Sequence, residues 1–178
     1  SITAQQTALA DLDPLDSLNW VNAENITPNE DGVVYVYFGD SDENFNQTGD
    51  DGGPMVTIDW NDYEVDQVMS ALGEYENILG YEYRITEDAD EATFRLLKTE
   101  SAEYGAYFFP QDPAYGDAQG VGVFNVLSGG WNLPGQEALQ QGGYAFAVVL
   151  HEFGHAHGVA HPHDTGGGSD VMVGVTGP

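Results

Sequence analysis

Apolar residues recur along this chain with two different periods, and the changes between them mark its elements. Val33-Val34-Tyr35-Val36-Tyr37-Phe38 is an unbroken apolar and aromatic run behind the turn signal Asp31-Gly32, which predicts a buried strand. From residue 61 to residue 79 the spacing changes. Val65, Val68, Met69, Leu72, Tyr75 and Leu79 return every three or four residues, the stripe of an amphipathic helix. Asp59 or Asn61 can cap its first turn, Glu64 suits a capping box, and Gly80 can end it. Residues 81–85 and 92–97 read as strands, followed by strands over 104–109 and 120–126. A second helix is expected over 144–157, with Phe146, Val149, Leu150 and Phe153 toward the core. Before residue 30 the chain is polar, with Leu15, Leu18 and Trp20 as its anchors. One strand, a helix, further strands and a second helix predict a single α+β domain over 1–178. The expected architecture is a twisted mixed sheet, a long packing helix and a helix that carries the chemistry.

The second helix holds that chemistry. His151-Glu152-Phe153-Gly154-His155-Ala156-His157-Gly158-Val159-Ala160-His161 follows the pattern H-E-x-x-H-x-x-G-x-x-H. His151 and His155 lie four residues apart, so on a helix their imidazoles share one face and can address one metal ion. Glu152 stands beside them, placed to contact a water on the metal without ligating the metal itself. Gly158 can take a positive φ and turn the chain so that His161 supplies a third nitrogen. Three neutral nitrogens and one open position describe a catalytic zinc site, whereas structural sites fill all four positions with protein ligands. The five fixed letters arise by chance at on the order of 10⁻⁷ per position.

The simpler reading is a surface tract of metal-binding histidines, since all five histidines of the chain (151, 155, 157, 161 and 163) cluster here. Such a tract has no need of Glu152 or Gly158 in register. His157, two residues from His155, faces elsewhere on the helix and is assigned to the surface or to support behind the ligands. His163, after Pro162, is the one understudy for His161. A third ligand of glutamate type is excluded because no Glu follows Glu152, and Asp164 or Asp170 fits the spacing less well than His161. With no cysteine there is no thiol mechanism, and no G-x-S-x-G elbow suggests a serine triad.

This run resembles the zinc-binding signature of the metzincin metallopeptidases. Asp170-Val171-Met172-Val173-Gly174 would supply the Met-containing turn below the metal, with Met172 as its methionine. Tyr104-Gly105-Ala106-Tyr107-Phe108-Phe109-Pro110, followed by Gly116-Asp117-Ala118, resembles the edge strand and Gly-Asp segment of matrixins and serralysins. Pro162 directly after the third histidine is closest to the serralysins. The resemblance implies a zincin-like fold and one catalytic zinc on His151, His155 and His161. It also implies Glu152 as general base and acid, and a peptide substrate laid along Tyr104, Gly105, Ala106 and Tyr107 as an added strand. Two departures stand out. Gly174 occupies the position of the tyrosine that serralysins and astacins carry two residues after the methionine, and the families continue into a further helix where this chain stops at Pro178. Either a fragment of a longer protein, cut after its Met-turn, or an unusually short wall around the specificity pocket is expected, the fragment being favoured.

The same segment has a second pattern. Thr165-Gly166-Gly167-Gly168-Ser169-Asp170-Val171-Met172-Val173 is one letter from the nonapeptide of calcium-binding β-rolls. One copy cannot build a roll, but it raises the expectation that one follows in a longer protein.

Charge narrows the setting. Thirty acidic residues face three basic ones, Arg84, Arg95 and Lys98, for a net charge of -27. Nucleic-acid binding is excluded, because neutralising phosphates requires clustered Lys and Arg. The self-repulsion is relieved by salt or divalent cations, which points to a secreted protein in a saline or calcium-rich extracellular medium. Asp40-Ser41-Asp42-Glu43-Asn44-Phe45-Asn46, with Asp50-Asp51 beyond, offers oxygen ligands as a calcium loop does, but lacks EF-hand spacing; a solvated acidic loop explains it equally. No apolar stretch is long enough to insert in a membrane. The expected function is a secreted zinc endopeptidase acting on proteins or peptides. The alternative is a metzincin-like module that holds zinc without turnover, for adhesion within a larger calcium-binding extracellular protein.

Overall fold

The apolar run behind Gly32 forms strand β1, Val33–Phe38. Gly32 adopts φ 78° there, and the Asn29 side chain closes the turn by accepting the N–H groups of Asp31 (3.0 Å) and Val33 (2.9 Å). This computed structural model describes residues 26–128, Trp131 and residues 138–158. The expectations placed on Leu15, Leu18, Trp20, His161, His163, Asp164, Asp170, Met172 and Gly174 lie outside the described residues.

Helix α1 spans Asp62–Leu79 and is bounded as its sequence predicts. Asn61 accepts the Glu64 N–H at 2.9 Å, while the Glu64 carboxylate accepts the Asn61 N–H at 3.0 Å. Gly80 ends the helix in the left-handed region at φ 73°. Val68, Ala71 and Leu72 are buried, whereas Leu79 is exposed. The stripe therefore ends at Tyr75, the last residue with helix cover: its hydroxyl donates to the Leu150 carbonyl at 2.5 Å.

Strands β2 (Glu82–Ile85), β3 (Phe94–Thr99), β4 (Ala106–Phe108) and β5 (Val121–Asn125) complete a five-stranded mixed sheet in the order β2-β1-β3-β5-β4. The first four strands of that order run parallel, and β4 pairs antiparallel with β5 at the edge. Helix α2, Tyr144–Ala156, packs over the same face as α1. The result is an α+β fold with a mixed sheet and helices, as expected from the pattern.

Two strand boundaries move for physical reasons. The expected strand over 92–97 lies at Phe94–Thr99, because Lys98 continues it in the interior instead of marking its end. Its ammonium sits 2.6 Å from the Glu64 carboxylate, both side chains nearly inaccessible, and the Trp131 indole donates to the other Glu64 oxygen at 3.0 Å. A buried carboxylate thus has a charged partner and further donors, which its burial requires. The expected strand over 104–109 shrinks to Ala106–Phe108. Asn125 captures the preceding loop, its amide donating to Ser101 O and Tyr104 O at 2.7 Å each and accepting from Ser101 N and Leu127 N at 3.0 Å.

The sheet is covered on both faces. Val34, Val36, Phe94, Leu96 and Phe124 meet the two helices, while Leu97, Val121 and Val123 meet Met55, Phe45, Tyr104 and Tyr107 on the other side. Phe108 lies directly across the β4–β5 pair from Gly122, filling the space a Cβ there would occupy. Phe153 of α2 rests on the rings of Phe94, Phe108 and Phe124 at 5.7, 5.6 and 6.4 Å. That aromatic contact fixes α2 against both β3 and the β5–β4 edge.

Candidate metal centre

Helix α2 begins at Gly143 and carries Ala145, Phe146, Val149, Phe153 and Ala156 inward. His151 and His155 lie one turn apart on another side of the helix. Their rings stand perpendicular at 89°, with centroids 4.5 Å apart and Nε2 atoms 3.0 Å apart. At that separation one imidazole can donate to the other, or both lone pairs can face one cation. Two nitrogens each at zinc distance in a tetrahedral site stand about 3.3 Å apart, so a small adjustment accommodates the ion. The donor set of imidazole nitrogens suits zinc chemically. Two of the three candidate ligands are therefore brought together; no set of three His, Cys, Asp or Glu able to hold a metal is gathered among the described residues. The chain leaves α2 through Gly158, at φ 86°, where the sequence predicts the turn toward His161.

Glu152 is buried at 6% exposure, in contrast to its exposed neighbour His151. Burial pushes its carboxyl up to about 7. A carboxyl with that affinity can accept a proton and return it near neutral pH, the range general acid–base catalysis needs.

Of the two places expected for His157, the surface and the support behind the ligand pair, the surface is ruled out. Its side chain reaches inward, Nε2 2.7 Å from the Tyr83 hydroxyl and Nδ1 in contact with the Phe153 carbonyl. Its ring stacks on Tyr75 at 4.6 Å and 8°, and burial draws its pKa below the usual imidazole value. The same environment pushes the Tyr75 hydroxyl up to about 12. The sequence marks Tyr75 only as part of the α1 stripe and Tyr83 only as part of a strand, and neither as a partner of His157.

The residues expected to bind substrate divide along the edge. Ala106 and Tyr107 lie in β4, whereas Tyr104 and Gly105 precede it. Gly105 O accepts from Asn125 N at 2.9 Å and Phe109 N donates to Val121 O at 3.0 Å. Ladder bonds alternate in an antiparallel pair, so the backbone groups of Ala106 and Phe108 face the open edge. Tyr107 points to the far face, its hydroxyl donating to Gln47 at 2.9 Å, and its ring packs between Tyr104 and Phe109.

In and beyond the acidic run, three carboxylates are taken up by protein donors, local backbone N–H groups and more distant hydroxyls and amides alike. Glu43 accepts from Tyr37 (2.6 Å) and Asp40 N (3.1 Å), Asp51 accepts from Gly53 N, and Asp50 accepts from Ser101 Oγ (2.7 Å) and Ala102 N (2.8 Å). Those last bonds fasten this loop to the approach of β4. No helix among the described residues is long and apolar enough to cross a membrane.

No family model matches the chain, and no curated protein matches it. Among solved structures, one of myroilysin aligns with a TM-score of 0.46 at 18% identity, over 83% of this chain and 53% of that one. A second structure of myroilysin gives 0.45 at 17% identity, over 84% and 58%. The chain thus spans little more than half the length of these structures.

Proposed function

We propose that the chain is a zinc-dependent endopeptidase of the metzincin type, with His151, His155 and His161 as ligands and Glu152 as the proton-handling group. The observation that carries this reading is the geometry of α2. Two imidazole nitrogens stand 3.0 Å apart, and between them in sequence lies a buried carboxyl poised at about 7. Zinc held by these nitrogens would supply a Lewis acid that polarises a scissile carbonyl and acidifies a water. Glu152 takes the proton from the attacking water and passes it to the leaving amine. The outward backbone groups of Ala106 and Phe108 bind an extended peptide as a further strand beside β4. Tyr104, Gly105 and Tyr107 shape that edge from its start and from behind, while Asn125 holds the approach in place.

Met172 forms the turn beneath the metal in this reading. The net charge of -27 favours action in a saline, extracellular medium with calcium as a second cation, and the near-match to a β-roll nonapeptide over 165–173 favours such a roll in a longer protein. The test is hydrolysis of casein and of a quenched fluorescent peptide. Cleavage should stop on treatment with a zinc chelator and return on adding zinc. A folded, zinc-loaded chain that cleaves neither substrate contradicts the reading and leaves a zinc-binding module in its place.

A further inference from the structure

The last turn of α2 is gripped by a side chain that the ligand set does not use. The backbone closes this turn with shared bonds: the His157 N–H is divided between Phe153 O and Gly154 O at 3.1 Å each, and Gly158 N donates to His155 O at 2.9 Å. The His157 side chain adds one contact within its own helix and three anchors from three other elements. A carbonyl only accepts, so the contact with Phe153 O places a proton on Nδ1. Nε2 then offers its lone pair to the Tyr83 hydroxyl of β2 at 2.7 Å. Tyr75 of α1 stacks on one face of the ring, and Phe94 of β3 meets it edge-on at 5.5 Å and 73°.

Both ring nitrogens are thereby committed, so His157 is not a metal ligand although it stands two residues from one. Its demands are specific. Phenylalanine would keep the stack and lose both hydrogen bonds; glutamine would keep a donor and an acceptor and lose the stack. What the grip fixes is the stretch of backbone between His155 and the left-handed Gly158, from which the chain departs toward residue 161.

We infer that His157 and Tyr83 are a positioning pair for the metal centre, pinning the end of α2 so that the third ligand returns from a set direction. This rests on the zinc reading of α2. On this inference the pair acts through the proposed ligand His161 and not through His151, which lies more than one helical turn before the pinned residues.

The experiment measures zinc affinity of the whole chain by competition with a chromophoric chelator, together with the visible spectrum of the cobalt-substituted protein. Tyr83→Phe removes one hydroxyl and His157→Phe removes both ring nitrogens. Each should keep a cooperative fold in the zinc-free state yet bind zinc about tenfold more weakly, with a shifted cobalt spectrum. His157→Gln should recover part of the loss. In a His161→Ala background, Tyr83→Phe should cost little further affinity, since the ligand it positions is gone. Should His157→Phe fail to fold, Tyr83→Phe decides the matter. Unchanged zinc affinity and cobalt spectrum with a lowered melting temperature would make the pair an ordinary core contact and overturn the inference, as would an equal loss with and without His161. If His161→Ala itself leaves zinc affinity unchanged, the assigned ligand set fails, and the positioning pair falls with it.

Discussion

His151 and His155 converge because four residues bring an α-helix back to nearly the same direction, whereas two residues turn it by about 200°. That arithmetic is why the convergence of this histidine pair was legible in the sequence and why His157 had to lie on another side. What spacing could not show was the company His157 keeps. Tyr83 and Tyr75 come from distant parts of the chain, and only the packing of α2 against α1 and β2 brings them to one imidazole. The raised carboxyl of Glu152 was equally invisible, because burial is a property of the assembled helix. At this scale the account predicts an order of metal loss. After dialysis, metal analysis should find His161→Ala nearly free of zinc, His157→Ala weakened and His163→Ala close to wild type. Equal loss in all three would favour a loose histidine tract over a ligand set.

Elements whose ends carry their own chemical signals were the easiest to read. Helix α1 is delimited by Asn61, Glu64 and Gly80, and each does locally what its side chain or backbone freedom allows. Strand β1 needed only its apolar run. Strand β3 lies two residues beyond its expected bounds, since nothing local announces that Lys98 is buried with its charge met by Glu64. Strand β4 was overextended because nothing local announces that Asn125 claims Ser101 and Tyr104. The Glu64 hub gives this scale its prediction. Asn61→Ala removes one cap and should cost about 1 kcal/mol. Lys98→Met leaves a carboxylate buried without its counter-charge and should cost about 3–5 kcal/mol. Denaturant unfolding of the two variants checks the order; equal costs would show that the buried pair contributes no more than the cap.

At the scale of the molecule, an α+β fold with a mixed sheet followed from the succession of elements, but the strand order β2-β1-β3-β5-β4 did not. Sheet order is set by which apolar faces meet across long stretches of chain, and no single segment contains that information. Net charge, by contrast, is wholly readable. With a net of -27, carboxylates crowd the surface and repel one another, so sodium chloride should raise the thermal midpoint of the protein. A further rise in calcium chloride at matched ionic strength is the mark of a specific calcium site, through mass action on the folded state. A midpoint flat in both titrations would contradict the electrostatic account. The central claim, that α2 is a catalytic zinc helix with Glu152 as its proton carrier, meets its most direct test in one substitution. Peptide hydrolysis and bound zinc are measured side by side for the wild-type chain and Glu152→Gln. The account predicts about one zinc per chain in both proteins, with hydrolysis lost in the variant; turnover near the wild-type rate with Gln at position 152 would contradict it.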